Sequence, residues 1–67
     1  MQYLNMRYRD ATLGDIVKTS LHPEALRYMI KRLDTLQESV YLVPMDGSFS
    51  GQWVSANALF LDTNKGN

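Results

Sequence analysis

The chain has 67 residues, with seven basic side chains balanced by seven acidic ones, a single histidine and no cysteine. A chain this short is one domain at most, and folding removes only about 60% of the surface its unfolded form exposes, so the core is thin. The missing cysteines exclude disulfides and thiolate metal sites, the lone histidine excludes a histidine-rich metal cluster, and the balanced charge supplies no general attraction to nucleic acid or a membrane.

Small scaffolds without such staples rely on close packing or on self-association. No metal and no cofactor is therefore expected, and pairing of copies through an uncovered strand edge is. No apolar run approaches the roughly 20 residues that cross a bilayer. The opening "MQYLNMRYRD" carries its arginines after the apolar residues and has no uninterrupted apolar core. A signal peptide is not expected there, and a cytoplasmic location is.

In chain order, the first ten residues place Tyr3, Leu4, Met6 and Tyr8 on both parities, which forces neither strand nor helix. "ATLGDIVKTS" is clearer: Gly14-Asp15 punctuates, and the β-branched Ile16-Val17 predicts a short strand over about 15–20. The middle, "SLHPEALRYMIKRLDTLQES", has two readings. Pro23 and Glu24 suit a first helical turn, and Leu26, Met29, Ile30, Leu33 and Leu36 recur at helical spacing. Alternatively "HPEA" is a turn, "LRYMIKRLD" a strand and "TLQES" a loop into "VYLVPM". Alternation supports this only in part, because Arg32 shares parity with Tyr28 and Ile30. On pattern alone the helix leads slightly.

The last third is extended chain. "SVYLVPM" is β-branched and aromatic, "DG" marks a turn, "QWVSA" resumes the strand pattern and "LFL" closes it. Pro44 cannot donate to a ladder, so its strand is an edge, ends there, or bulges. The tail at 63–67 has nothing to pack and is expected to be loose.

"LGDIVKT" near the start, the "DG" turn and "WVSANALFL" at the end resemble the SH3-like small barrels. In those modules a Gly-Asp-Ile-Val strand opens the barrel, and a Trp-Val…Leu-x-Leu stretch closes it after a short 3₁₀ turn. Gly14, Asp15, Ile16 and Val17 match the opening. Trp53, Val54, Leu59 and Leu61 match the closing, with Ser55 to Ala58 at the turn. The resemblance implies an all-β fold, a five-stranded barrel over residues 1–62, in which "RYMIKRLDTLQESVYLVPMDG" is one hairpin. The alternative is α+β, with one helix at about 23–37 packed on a three-stranded antiparallel sheet. Within the barrel, Val54, Leu59 and Leu61 point inward and Trp53 stands half buried at the rim.

No catalytic constellation is legible. The carboxylates are scattered, His22 stands alone before a proline, and "GSFSG" follows a turn and precedes a strand, where a hydrolase elbow needs a strand leading into a helix. "DGSFSG" lacks the following helix and the lysine of a phosphate loop. The resemblance implies instead a non-enzymatic module docking onto a partner protein, of the kind found as accessory proteins of phages or mobile elements. Aromatic side chains dominate interface energetics, so Tyr8, Tyr28, Tyr41, Phe49 and Trp53 are the candidate contacts. A second reading is a single-stranded nucleic-acid binder that uses Arg7, Arg9, Lys31 and Arg32 if "YLNMRYR" and "RYMIKR" lie side by side. A third is an oligomeric enzyme whose site forms between subunits.

Overall fold

The computed structural model describes residues 3–48 and 50–62. They form six strands: β1 (Tyr3–Asn5), β2 (Ile16–Lys18), β3 (Arg27–Asp34), β4 (Ser39–Pro44), β5 (Gln52–Ser55) and β6 (Phe60–Asp62). Single 3₁₀ turns lie at Tyr8–Asp10 and Ala56–Ala58. The strands make one antiparallel sheet in the order β1-β6-β2-β3-β4-β5, curled into a half-barrel. The fold is all-β, as expected. No helix among the described residues is long and apolar enough to cross a membrane. The tail at 63–67 lies outside the described residues.

There is one strand more than the five expected. It is β1, in the opening segment whose mixed parity defined no element. Its pairing with β6, Tyr3 to Asp62, Leu4 to Leu61 and Asn5 to Phe60, gives it strand geometry that three residues do not specify alone. The Asn5 carboxamide adds a staple, donating to the carbonyls of Asn57 at 3.1 Å and Leu59 at 3.0 Å.

The ambiguous middle is a hairpin. Residues 23–37 contain no helix: the Ala25 N–H closes a turn onto the His22 carbonyl, and β3 follows. Its confusing pattern has a local cause. Ile30 pairs with Leu42 and Arg32 with Tyr41, which leaves Lys31 without a partner in a β-bulge. Ahead of the bulge Tyr28 and Ile30 are buried. Beyond it Leu33, itself 39% exposed near the hairpin end, lies opposite the buried Val40, so by register the inward parity runs 28, 30, 33. The inserted residue turns a spacing of two into three, and three is what a helix would show.

The turn entering β2 is built by the Gly-Asp pair. Gly14 has φ +92°, open to glycine at little cost, and the Asp15 N–H closes on the Thr12 carbonyl at 3.0 Å. Asp15 is 6% exposed, and its carboxylate accepts the Thr12 N–H at 2.9 Å. The Gly14 N–H and Asp15 C=O then bond to Ile30, tying the turn to β3. Asp15→Ala leaves the Thr12 N–H without its acceptor and should cost about 1–3 kcal/mol, read from the urea midpoint. Asp15→Asn, which keeps an acceptor oxygen, should recover part of that.

The core is made by Ile30, Val40 and Leu42 of the central hairpin, with Val17, Tyr28, Leu59, Ala56 and Met6 around them. Val54 and Leu61 pack against it, as their parity predicts. Strand β4 ends at Pro44, two residues beyond its last pairing with β5 at Leu42 and Gln52, so no ladder bond to β5 is lost there.

Candidate functional site

The outer face of the sheet carries an apolar stripe. In β4 the buried Val40, Leu42 and Pro44 alternate with the half-buried Ser39, Tyr41 and Val43, which point outward. Register extends the stripe sideways. Val43 lies opposite Met29, Met29 opposite Ile16, and Tyr41 lies between Arg32 of β3 and Trp53 of β5.

Tyr41 and Trp53 form its centre. Their ring centroids are 5.3 Å apart with the planes at 60°, an edge-to-face arrangement that is favourable for two aromatic quadrupoles. Trp53 remains 51% exposed at the sheet margin, the half-buried rim position predicted for it. The Tyr41 ring also lies over the backbone of Gly51. A carbon added at Gly51 would stand 2.5 Å from Cε2 of Tyr41 and 2.6 Å from the Leu42 carbonyl oxygen. Glycine there is a matter of space, and it lets the ring approach the backbone just ahead of β5. Beside the pair, no ion pair or hydrogen bond among the described residues holds the exposed Arg32 guanidinium. The nearest acid along the strand, Asp34, is occupied by the N–H groups of Leu36 and Gln37.

The other candidate residues are dispersed. Tyr28 is 7% exposed and belongs to the core, because it shares parity with Ile30 on the inner face. Tyr8 is half buried at the first 3₁₀ turn, where its hydroxyl bonds to Thr35 Oγ1 at 2.9 Å. Phe49 lies outside the described residues. Arg7 and Arg9 belong to the 3₁₀ segment and Lys31 and Arg32 to the β3 bulge. The side-by-side placement that would unite the four does not occur, since β6 and β2 stand between β1 and β3.

At the hairpin end of the half-barrel, Asn5, Arg7, Tyr8, Gln37, Glu38, Ser55 and Asn57 line an open polar cleft of about 600 Å³. Several of its groups already have protein partners: Asn5 the backbone carbonyls at 57 and 59, Tyr8 the Thr35 hydroxyl, and Ser55 Oγ the Asn57 Oδ1 at 2.8 Å. His22 is a loop residue that accepts the Glu24 N–H at Nδ1. Among the described residues no group of three or more His, Cys, Asp or Glu side chains could hold a metal ion.

Sequence reasoning named Tyr41 and Trp53 one at a time. It missed their pairing, the Gly51 floor and the Ile16–Met29–Val43 extension. The alternation within "SVYLVP" and "QWVS" was the available signal, but without the register it could not say which residues meet. No family model matches the chain, and neither does any curated protein or solved structure.

Proposed function

We propose that this chain is a small SH3-like interaction module that docks onto a partner protein through the outer face centred on Tyr41 and Trp53. The observation that carries the reading is that aromatic pair, preset in an edge-to-face contact, half exposed, and flanked by the exposed Arg32, which has no ion pair or hydrogen bond among the described residues. Trp, Tyr and Arg are the side chains most enriched at interface hot spots. Arg32 calls for a carboxylate on the partner, set beside an apolar or aromatic side chain that covers Trp53.

The SH3-like part is supported by the order of the last five strands. The opening strand β2 lies beside the closing strand β6, and the 3₁₀ turn Ala56–Ala58 joins the tryptophan strand to β6. Such folds host many functions, so the docking reading rests on the face and not on the topology.

Chemical cross-linking in the source cell, with the tagged full chain, tests the reading. Wild type should give one defined conjugate. Trp53→Ala should reduce it about tenfold or more while leaving the far-ultraviolet spectrum unchanged, and Arg32→Glu should do the same by charge reversal. An undiminished conjugate from Trp53→Ala sinks the proposal. So does tight binding of a labelled single-stranded oligonucleotide that weakens steeply with salt, which would favour nucleic acid instead.

A further inference from the structure

We infer that two copies of this chain pair through their β5 edges, antiparallel about a two-fold axis, joining two half-barrels into one continuous sheet. Strand β5 is the last in the sheet order, and among the described residues β4 is its only neighbour. Its residues, Gln52, Trp53, Val54 and Ser55, include no charge and no proline, and its pairing with β4 runs without a bulge. Charge, proline and bulges are among the devices by which monomeric proteins protect an open edge; β5 is short, at four residues, but it has none of these three, and such an edge can receive another strand.

Backbone alternation identifies the groups involved. The Ala56 N–H donates to the Glu38 carbonyl at 3.1 Å, one step beyond the pairing of Ser55 with Ser39. Hydrogen-bonded pairs alternate along an antiparallel ladder, so Val54 and Gln52 direct their backbone groups at β4. Trp53 and Ser55 direct theirs away from the sheet, and these are the donors and acceptors a further strand would meet.

The occupant is a second copy for three reasons. Two uncharged edges of a chain with balanced charge meet without like-charge cost. A chain this small gains more than a large one from apolar surface covered by association. Finally, a two-fold contact uses the same patch twice and closes, whereas β5 against the β1 edge of the next copy would propagate an open chain. With the axis normal to the sheet, both outer faces lie on one side, so two Tyr41–Trp53 pairs share one face. The dimer does not depend on the docking proposal, which a monomer could equally fulfil.

Ser55 offers a discriminating variant. It has φ −62° and ψ 131°, its N–H faces away from β4, and the strand residue Val54 precedes it. Proline at 55 therefore fits the existing backbone; it removes the outward N–H donor together with the exposed Ser55 Oγ–Asn57 Oδ1 hydrogen bond, which Ser55→Lys also loses. Sedimentation of the full chain from micromolar to millimolar concentration should show wild type passing from monomer to dimer. The Trp53 and Ser55 amides should gain protection from hydrogen exchange in step with that change, while Val54 stays protected throughout. Ser55→Pro should keep the circular dichroism spectrum and weaken the dimer about tenfold or more, a cost of about 1.4 kcal/mol. Ser55→Lys, which keeps every ladder bond, should weaken it in a salt-dependent way and guards against a fold defect in the proline variant. A wild type that stays monomeric throughout overturns the inference. So does a dimer that forms without protecting the Trp53 and Ser55 amides, or one that neither variant weakens.

Discussion

Ile30→Ala is expected to leave most of the chain unfolded at physiological temperature. Ile30 is fully buried, lies opposite the equally buried Leu42, and stands at the last regular pair ahead of the Lys31 bulge. Truncating such a side chain costs about 2–5 kcal/mol, through lost transfer energy and the cavity left behind. Native stability is roughly 0.05–0.15 kcal/mol per residue, so in so short a chain that loss approaches the whole reserve. Collapse of the spread of amide proton shifts, together with a urea midpoint near zero, is the expected result. Leu36→Ala is the control: Leu36 is 90% exposed at the hairpin tip and should change stability by less than about 0.5 kcal/mol. Equal effects from the two substitutions would mean that the hairpin does not pack as described.

Gly51→Ala has the second largest expected effect, and it joins stability to the proposed surface. The added carbon would meet the Tyr41 ring and, at 2.6 Å, the Leu42 carbonyl oxygen. The ring can swing away, but the carbonyl belongs to the β4 backbone and cannot move without opening the β4–β5 ladder. A cost of about 1–3 kcal/mol is expected. That corresponds to a fall in Tm of roughly 4–8 °C per kcal/mol for a domain of this size. Displacing the ring also breaks the edge-to-face contact, so the near-ultraviolet signal of Trp53 should fall and its fluorescence should shift toward that of exposed indole. In the double variant Gly51→Ala/Tyr41→Ala the ring clash is gone and the carbonyl clash remains. The two single-site costs should therefore add to more than the cost of the double. Strict additivity would show that Tyr41 does not lie over Gly51.

Both effects arise where strands meet, and so does the limit of what the residues disclose. Local chemistry alone determined several features. The Gly14-Asp15 turn, the β-branched strand after it, the "SVYLVP" alternation and the closing Trp-Val and Leu-Phe-Leu pieces each have a signature written within a few residues, because φ preferences and alternation act locally. They carried the resemblance to the SH3-like barrels, and with it the all-β reading, the inward face of Val54 and Leu59 and the rim position of Trp53; pattern alone leaned to a helix in the middle segment.

Tertiary pairing decided the rest. Strand β1 exists because β6 is there to receive it. The middle segment is the strand β3 because β2 and β4 pair with it on either side, and its helix-like spacing is the trace of one bulged residue whose existence depends on the register with β4. Tyr28 went to the core and Tyr41 to the surface although both are tyrosines in strands, since only the pairing across the sheet fixes which parity faces inward. The meeting of Tyr41, Trp53, Gly51 and Arg32 has the same origin: these residues come from three separate stretches of chain, and contacts between distant segments are set by the register of the ladders that join them.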